Sequence, residues 1–440
     1  MIKRISLLFL ALMMLLSLGV PAQAAAQPVN IVFWHSMSDE AGAMVEKFVT
    51  EFNDTIGKEK QIVVEAVFQG KYSDATTKLN SVLTAENYSQ LPDVMNLDAT
   101  GKVAYFNSGH AYTLDDALKA DPAYDIAQIQ PITLGNWEFS GVKLGMPFAA
   151  STSIMFYNKT MLDAAGVKAP ETFQDIIDLS GKLPEKTADG LEVIAYSVVP
   201  NTPTLANWLG QLGSDMVNNK NGSEAMATEL VCIDNGALAS FLSHWKAMYD
   251  AGALKNVAGT TDQFVAGQLA ILTTSSSNIT SLLEKIGDSF ELGAGYYPKV
   301  TANAQVGATV SGSCVVMFDK QDDAKKAAAW ELVKYLASPQ VQAEFAAATG
   351  YVPVNTGAQE VPVYKALVEK QPQYAVPMAQ LTLTPAEMKS VTVGPAKDFY
   401  YAIQDNIATM LDEGLSVEET VETMADELNG LLRQYEQANK

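Results

Sequence analysis

Strands and helices alternate along the first hundred residues of the chain. An apolar run of strand length, Val29 to Trp34, precedes apolar residues at helical spacing between Ala41 and Phe52. Gln61 to Phe68 is a second strand rich in β-branched residues, Ser73 to Glu86 a helix, and Pro92 to Leu97 a third strand. This order is typical of parallel βαβ units with right-handed crossovers, and it predicts an α/β fold.

The ends of these strands are the first candidate site residues. In open α/β sheets, ligands bind beyond the carboxyl ends of the strands. Trp34 and His35 follow the first strand, and Asp98 follows the third. For Trp34 and His35 the alternative is packing against the core, and for Asp98 it is capping of the next helix.

The rest of the chain continues the mixed pattern. Met146 to Gly166 is expected to form a turn of small polar residues and then a strand. Gly267 to Asn278 reads as a strand that runs into a hydroxyl-rich turn, and Val306 to Phe318 as a strand kinked by glycine and serine. An alanine-rich helix is predicted over Asp323 to Leu336, and a last helix begins at Ser416 with a capping box.

The first 24 residues have the layout of a cleavable secretory signal. Lys3 and Arg4 precede an apolar run from Ile5 to about Val20, and the small-residue triplet Ala22-Gln23-Ala24 follows. No cysteine follows the apolar run, so lipid attachment there is not expected. We therefore predict that residues 1–24 are removed and that the protein is periplasmic.

Composition restricts the class of protein. With 48% hydrophobic and 18% charged residues, the chain can bury the cores of two or three domains. Its formal net charge of -21 repels nucleic acid and anionic lipid. Cys232 and Cys314 are its only cysteines. They either form one disulfide in an oxidising compartment or lie as separate buried thiols.

Six segments carry a resemblance to a known family. They are FWHSM (33–37), QGKYSD (69–74), MPFAASTSIMFYNK (146–159), GQLAILTTSSS (267–277), VSGSCVVM (310–317) and TGYVPV (349–354). The chain resembles the extracellular solute-binding proteins of carbohydrate-type ABC importers, and among them the periplasmic sn-glycerol-3-phosphate-binding proteins. The segments occur in that family's order and cover nearly all of the mature chain.

The resemblance implies a type II periplasmic-binding-protein fold with two α/β lobes, three crossovers and the ligand in the cleft between the lobes. The expected lobes are 25–148 with 303–350, and 149–302 with 351–440. It also implies a monomer that captures a sugar, a polyol or a glycerol-3-phosphate-like solute and delivers it to an ABC permease. It implies no catalytic residue, no metal, no cofactor and no nucleic-acid partner.

Hydroxyl groups, a glycine and aromatic rings are the family's ligand contacts, and they suit a polyol or phosphate ester. The predicted contacts are Trp34, His35, Tyr72, Asp98, Ser151, Thr152, Ser275, Ser276, Gly312 and Tyr351. Hydroxyls in turns also cap neighbouring backbone, and a strand glycine also marks a bulge, so these alternatives stay open.

Three positions depart from the glycerol-3-phosphate binders. Asp98 is one residue away from their carboxylate, and their phosphate-binding arginine falls on Thr392, with Lys389 and Lys397 as the closest cations. Their two stacking tryptophans have no match, although Trp208 lies a few residues downstream. The missing arginine favours a neutral sugar or polyol.

An enzyme is the alternative class, for example a secreted glycoside hydrolase that uses two carboxylates. The sequence contains no HExxH, GxSxG or GxxxxGK[ST] motif. Its many Asp and Glu residues supply carboxylate pairs at any spacing, so they do not distinguish the two classes.

Overall fold

The computed structural model describes residues 27–438; the predicted signal peptide, residues 1–24, lies outside this range. The strands are β1 Val29–His35, β2 Ile62–Phe68, β3 Val94–Asp98, β4 Ala111–Tyr112, β5 Glu138–Phe139, β6 Val142–Lys143, β7 Met146–Asn158, β8 Ile194–Ser197, β9 Leu254–Lys255, β10 Leu269–Ser275, β11 Leu292–Gly295 and β12 Val310–Phe318.

Helices connect and cover these strands in the described part of the chain. They are α1 Asp39–Phe52, α2 Lys58–Lys60, α3 Tyr72–Thr84, α4 Lys102–Phe106, α5 Leu114–Ala120, α6 Pro131–Asn136, α7 Lys159–Ala164, α8 Phe173–Ser180, α9 Thr202–Gln211, α10 Ala237–Asp250, α11 Thr261–Val265, α12 Ile279–Ile286, α13 Asp323–Leu336, α14 Pro339–Thr349, α15 Pro362–Lys370, α16 Ala375–Leu383, α17 Ala396–Asp412 and α18 Val417–Ala438. Within residues 27–438, none of the helices combines the length and the apolar character that crossing a bilayer demands.

Ten strands form one sheet in the order β2-β1-β3-β12-β7-β10-β8-β9, with β4 and β11 paired at its sides. β1 pairs in parallel with β2 and β3, and β8 pairs in parallel with β9 and β10. The parallel arrangement predicted for the first hundred residues is therefore present, and a second parallel group lies at the other end of the sheet. β12 runs antiparallel to β3 and β7, and so joins the two parallel groups.

Strand β7 belongs to both halves of this sheet. Thr152 pairs with Val310 of β12, and the next residue, Ser153, pairs with Ser275 of β10. The prediction of a polar turn followed by a strand at Met146–Asn158 is wrong, because the segment is one strand of 13 residues. Its small polar residues lie in the sheet, where the ladder to β12 satisfies their backbone groups.

The half of the sheet that contains β1, β2, β3 and β12, with its helices, is here called the first lobe. Phe33, Phe48 and Phe345 belong to the cluster on one face of this half. Trp34 and Leu97 belong to the cluster on the other face. Side chains of successive strand residues point to opposite faces, so Phe33 and Trp34 stabilise different layers of the same lobe.

The half that contains β8 to β11, with its helices, is here called the second lobe. Trp208, Phe241 and Trp245 are fully buried in the larger of its two clusters. Phe156 and Leu272 belong to the other cluster. The predicted last helix begins where the capping box placed it, since the backbone N–H of Glu419 donates to the Ser416 hydroxyl at 3.1 Å.

Residues 351–383 pack on both lobes. Val354 and Leu381 belong to a first-lobe cluster, whereas Leu367 and Tyr374 pack on the second lobe. The division of this stretch between the lobes therefore stays a prediction.

The two cysteines do not form a disulfide. Cys232 and Cys314 are free and buried, and they lie in hydrophobic clusters of different lobes. Of the two alternatives left open by the sequence, separate buried thiols is the correct one.

Candidate functional site in the cleft between the lobes

A polar cluster lies in the first lobe, where β3 ends and α3 begins. The side-chain amide of Asn96 donates to the Ser313 hydroxyl at 2.7 Å, and both residues are buried. The Tyr72 hydroxyl lies beside Ser313 but forms no well-directed hydrogen bond with the described residues, and neither does the side-chain oxygen of Asn96. Buried polar groups are normally satisfied, so these two atoms indicate a place where a ligand supplies the partner.

Three of the predicted contacts come together in this cluster. Burial raises the pKa of the Tyr72 hydroxyl far above its ordinary value, and the neighbouring Tyr351 and Asp98 raise it further. Burial also raises the pKa of the Asp98 carboxyl, although hydrogen bonds from Thr100 partly offset this. The Tyr351 ring stacks on Phe345 with the ring centroids 5.4 Å apart, which fixes its orientation. The arrangement offers hydroxyl donors, one carboxylate acceptor and an aromatic face.

Lys102 is a buried cation near Asp98 that was not predicted from the sequence. It is the first residue of α4, and only 3% of it is exposed. Its ammonium group donates to the backbone oxygen of Asn136 and lies 5.0 Å from the centre of the Trp137 ring. Burial lowers the pKa of Lys102 to about 8; Cys314 and Asp98 oppose this, whereas nearby Lys389 adds to it. The only sequence signal was a lysine shortly after Asp98.

The predicted hydroxyl contacts on β7 and β10 divide into two groups. Thr152 donates to the Ala308 carbonyl at 3.2 Å, and its backbone N–H donates to the Ser276 hydroxyl at 3.3 Å. Ser275 accepts from the backbone N–H of Ser277. Thr152 and Ser276 therefore stabilise the junction between β7 and β10, whereas Ser275 caps the turn that follows β10. Ser151, in contrast, is buried and forms no side-chain hydrogen bond with the described residues, so its hydroxyl is available.

The neighbouring strand β7 leaves no room for a side chain at Gly312. Its φ is +104°, and a Cβ atom there would lie 1.8 Å from the carbonyl oxygen of Ala149. The ladder between β12 and β7 also shifts register between Ser313 and Cys314. The close approach at Gly312 is therefore that of the β7 backbone, and contact with a ligand stays a prediction.

Trp34 and His35 pack into opposite sides of the first lobe. Trp34 is 6% exposed in a core cluster, with the Lys78 ammonium 4.1 Å from its ring centre. His35 is 2% exposed, and its Nε2 lies 3.4 Å from a carboxylate oxygen of Glu46. Burial lowers the pKa of His35, against the opposing effect of Glu46. These contacts favour the packing alternative, and ligand contact by either residue stays a prediction.

The Trp208 ring is not accessible to a solute. It is fully buried, it stacks on Phe241 and Tyr297, and its indole N–H donates to the Pro298 carbonyl at 3.2 Å. It is a core residue of the second lobe.

Residues 384–395, here called the strap, contact both lobes. The Ser390 hydroxyl donates 2.7 Å to the Val310 carbonyl and lies 3.0 Å from the side-chain oxygen of Asn136. On the other side, the Asn221 amide donates to the Lys389 carbonyl at 3.0 Å. The strap thus connects α6 of the first lobe with the second lobe.

A cavity of about 540 Å³ lies between the strap and the end of α9. Its polar lining includes Ser214, Asp215, Lys220, Asn221, Gln305 and Lys389. Burial raises the pKa of Asp215, and Lys220 and Lys389 oppose this rise.

Comparison with known proteins identifies the family. The family model for bacterial extracellular solute-binding proteins matches residues 44–374. The sn-glycerol-3-phosphate-binding periplasmic protein UgpB of Salmonella typhimurium is 24% identical over 447 aligned residues, covering 99% of this chain and 100% of that protein. UgpB of Escherichia coli O6:H1 is 23% identical over 437 residues, covering 97% and 98% of the two chains.

Solved structures share the fold. The cyclic α-maltosyl-1,6-maltose binding protein of Arthrobacter globiformis has a TM-score of 0.76 at 18% identity, covering 92% of this chain and all of that one. UgpB of Mycobacterium tuberculosis, in complex with glycerophosphocholine, has a TM-score of 0.72 at 19% identity, covering 93% and 99% of the two chains. These likenesses confirm the predicted two-lobed type II fold. Together with the family match, they show that the chain belongs to the bacterial extracellular solute-binding protein family and that its function is to bind a solute.

Proposed function

We propose that this protein is the periplasmic receptor of an ABC importer and that it captures a hydroxyl-rich solute, namely a sugar, a polyol or a glycerophosphate. In this proposal residues 1–24 direct export, and the mature monomer delivers its solute to a membrane permease without changing it. The relatives described above, which bind glycerol 3-phosphate or a cyclic maltosyl-maltose, support this class of solute.

The observation that carries the proposal is the unsatisfied polar cluster around Tyr72. The Tyr72 hydroxyl and the side-chain oxygen of Asn96 have no hydrogen-bond partner in the described residues. Asp98 and Tyr351 lie beside them and belong to segments far apart in the sequence. A solute with several hydroxyl groups satisfies such donors and acceptors together, and the tyrosine rings cover its apolar carbon face.

The ligand contacts proposed here are Tyr72, Asp98, Ser151 and Tyr351. Ser151 adds an available hydroxyl from β7, close to the point where this strand passes from one lobe to the other. Because this point adjoins the second lobe, we propose that closure brings second-lobe groups to the solute, which then binds the closed form more tightly than the open form. That difference in affinity is what drives closure.

A thermal-shift screen of the mature, ligand-free protein tests this function. The panel contains sugars, polyols, glycerol 3-phosphate, glycerophosphodiesters and amino acids. A solute at about 100 times its Kd stabilises a protein by roughly 2.7 kcal/mol, which is readily measured. We expect a shift with one hydroxyl-rich class and full recovery of that compound by chromatography. Consumption of a sugar would instead support a glycoside hydrolase, and a shift with amino acids alone would overturn the proposed solute class.

A further inference from the structure

A single buried side chain, that of Gln380, contacts the segments that connect the two lobes. In the described part of the chain these connections are strand β7, residues 296–309 between β11 and β12, and residues 351–383. Gln380 belongs to helix α16 in the third connection and is fully buried. Its side-chain oxygen accepts from the backbone N–H of Tyr297 at 2.7 Å, and its side-chain nitrogen donates to the Ser153 carbonyl at 2.8 Å. One amide group thus touches all three connections.

Gln380 lies where the pairing between β7 and β11 ends. The last pair of these two antiparallel strands is Met155 with Gly295. The same register, continued by two residues, would place Ser153 opposite Tyr297. The Gln380 amide lies between these two residues instead, bonded to the carbonyl of one and to the N–H of the other. The second connection therefore separates from β7 at this point, and the amide satisfies the backbone groups that the separation exposes.

Thr152 extends this contact toward the start of β12. Its hydroxyl accepts from the side-chain nitrogen of Gln380 at 3.1 Å and donates to the Ala308 carbonyl at 3.2 Å, near the end of the second connection. Thr152 and Ser153 are also the residues at which β7 changes partner, from β12 of the first lobe to β10 of the second. The amide is therefore bonded to the sheet at the junction between the lobes.

A cavity of about 480 Å³ beside Gln380 is lined by the same three connections. Met155 belongs to β7, Tyr297 and Val306 to the second connection, and Ala379 to α16. A closely packed interior resists displacement of its parts, whereas a cavity leaves room for its walls to shift. The three connections therefore have space to move relative to one another on this side, while the amide holds them together at one point.

We infer that Gln380 is the pivot of lobe closure: its amide keeps the three connections together, and the lobes rotate about that point. Its side-chain hydrogen bonds go to none of the four proposed solute contacts, so it is a positioning residue. The inference rests on the proposed capture of a solute between the lobes. Without the pivot, the ligand-free lobes sample a wider range of separations, and a solute that needs both lobes has more conformational freedom to remove when it binds.

Distances between spin labels on the two lobes test the pivot directly. The labels are attached to Ser81→Cys and Ser243→Cys, two exposed positions on helices α3 and α10 of different lobes, and both native thiols are buried. Double electron–electron resonance on the ligand-free protein should give a broader distance distribution after Gln380→Met, which keeps the chain length and removes the amide. The affinity of Gln380→Met for the best solute of the thermal-shift screen should fall at least about 5-fold, the lower end of couplings between separate sites.

Gln342→Met is the matched control. Gln342 is also a buried glutamine, and its amide donates to the Leu336 carbonyl at 2.9 Å and accepts from the backbone N–H of Val354 at 3.0 Å. Leu336 and Val354 both belong to a cluster of the first lobe. This substitution should therefore lower stability and leave the distance distribution and the affinity unchanged.

Several outcomes would overturn the inference: an unbroadened distance distribution in folded Gln380→Met, equal broadening in Gln342→Met, or broadening without any loss of affinity. If Gln380→Met does not fold, Thr152→Val takes its place, because it keeps the side-chain shape and removes the hydroxyl between Gln380 and Ala308. Thr152→Val should also broaden the distribution, and an unchanged distribution would again overturn the inference. Failure of the wild-type protein to bind any solute in the panel would contradict the proposed function instead, since the distances are measured without solute.

Discussion

The backbone N–H of Ser140 donates to the carbonyl oxygen of Ser223 at 3.0 Å. Ser140 lies in the turn between β5 and β6 of the first lobe, and Ser223 ends a turn of the second lobe in which Asn219 to Asn221 have left-handed backbone angles. The same turn holds the strap, because the backbone N–H of Thr392 donates to the Asn221 carbonyl at 2.8 Å. One short segment thus couples lobe contact to the position of the strap.

Gly222→Ala should disturb this coupling. Gly222 has a φ of +75°, and a Cβ atom there would lie 2.0 Å from the carbonyl oxygen of Thr392. Gly236→Ala is the control, since Gly236 has nearly the same φ, +74°, with open space around its Cβ position. Left-handed backbone alone costs about 1–2 kcal/mol, so Gly236→Ala should lower the free energy of unfolding by that amount. Gly222→Ala should lower it further and also weaken solute binding. Equal effects of the two substitutions in denaturant titrations would show that the contact with Thr392 is unimportant.

The buried Lys102 should make the stability of the ligand-free protein depend on pH. An unfolded lysine has a pKa near 10.4, so between about pH 8 and 10 the unfolded chain binds more protons at Lys102 than the folded chain does. The contribution of Lys102 to the free energy of unfolding therefore increases with pH in that window. The difference in unfolding free energy between wild type and Lys102→Met, measured at pH 7.5 and 9.5, checks the sign. A smaller advantage of wild type at pH 9.5 would be inconsistent with a lowered pKa.

Both thiols should react slowly in the native protein. Burial raises the pKa of Cys232 to about 12, and it raises that of Cys314 even further. The reactive thiolate is therefore scarce in each case. A thiol reagent at pH 8 should label neither residue quickly without denaturant and both residues once the chain is unfolded. A mass two units below that of the dithiol form, restored by reductant, would reveal a disulfide and contradict the structure.

Trp208 should affect stability more than binding. Trp208→Ala removes a fully buried ring and is expected to cost about 3–5 kcal/mol of unfolding free energy. Trp208→Phe keeps most of the packing and should bind solute with wild-type affinity. Loss of binding in a folded Trp208→Phe variant would instead mean that this ring contacts the solute.

The sequence predicted the elements of the fold well where periodicity was strong. The helix predicted over Asp323–Leu336 has those bounds in the structure, since its apolar residues recur at helical spacing and Asp322 caps its start. Strand β7 was missed in part, because Ala149 to Ser153 have the composition of a turn. Pairing with β12 decides their conformation, and that pairing is a tertiary effect.

Only part of the candidate site could be predicted from the sequence, because the rest also depends on tertiary contacts. Tyr72, Asp98 and Tyr351 were found from strand ends and from the resemblance, and the structure brings them together. Lys102 was missed because its significance depends on burial against Asn136, a residue 34 positions away in the sequence. A lysine in a short helix otherwise indicates an exposed side chain.

The most direct test of solute binding in the cleft is a calorimetric titration of the best solute from the screen with three proteins: wild type, Tyr351→Phe and Tyr351→Ala. Tyr351→Phe keeps the stacking on Phe345 and removes the hydroxyl, whereas Tyr351→Ala removes both. Our account predicts one site per chain in the wild type, weaker binding in Tyr351→Phe, and at least about 10-fold weaker binding in Tyr351→Ala. Wild-type affinity in a folded Tyr351→Ala variant would contradict it and place the solute elsewhere.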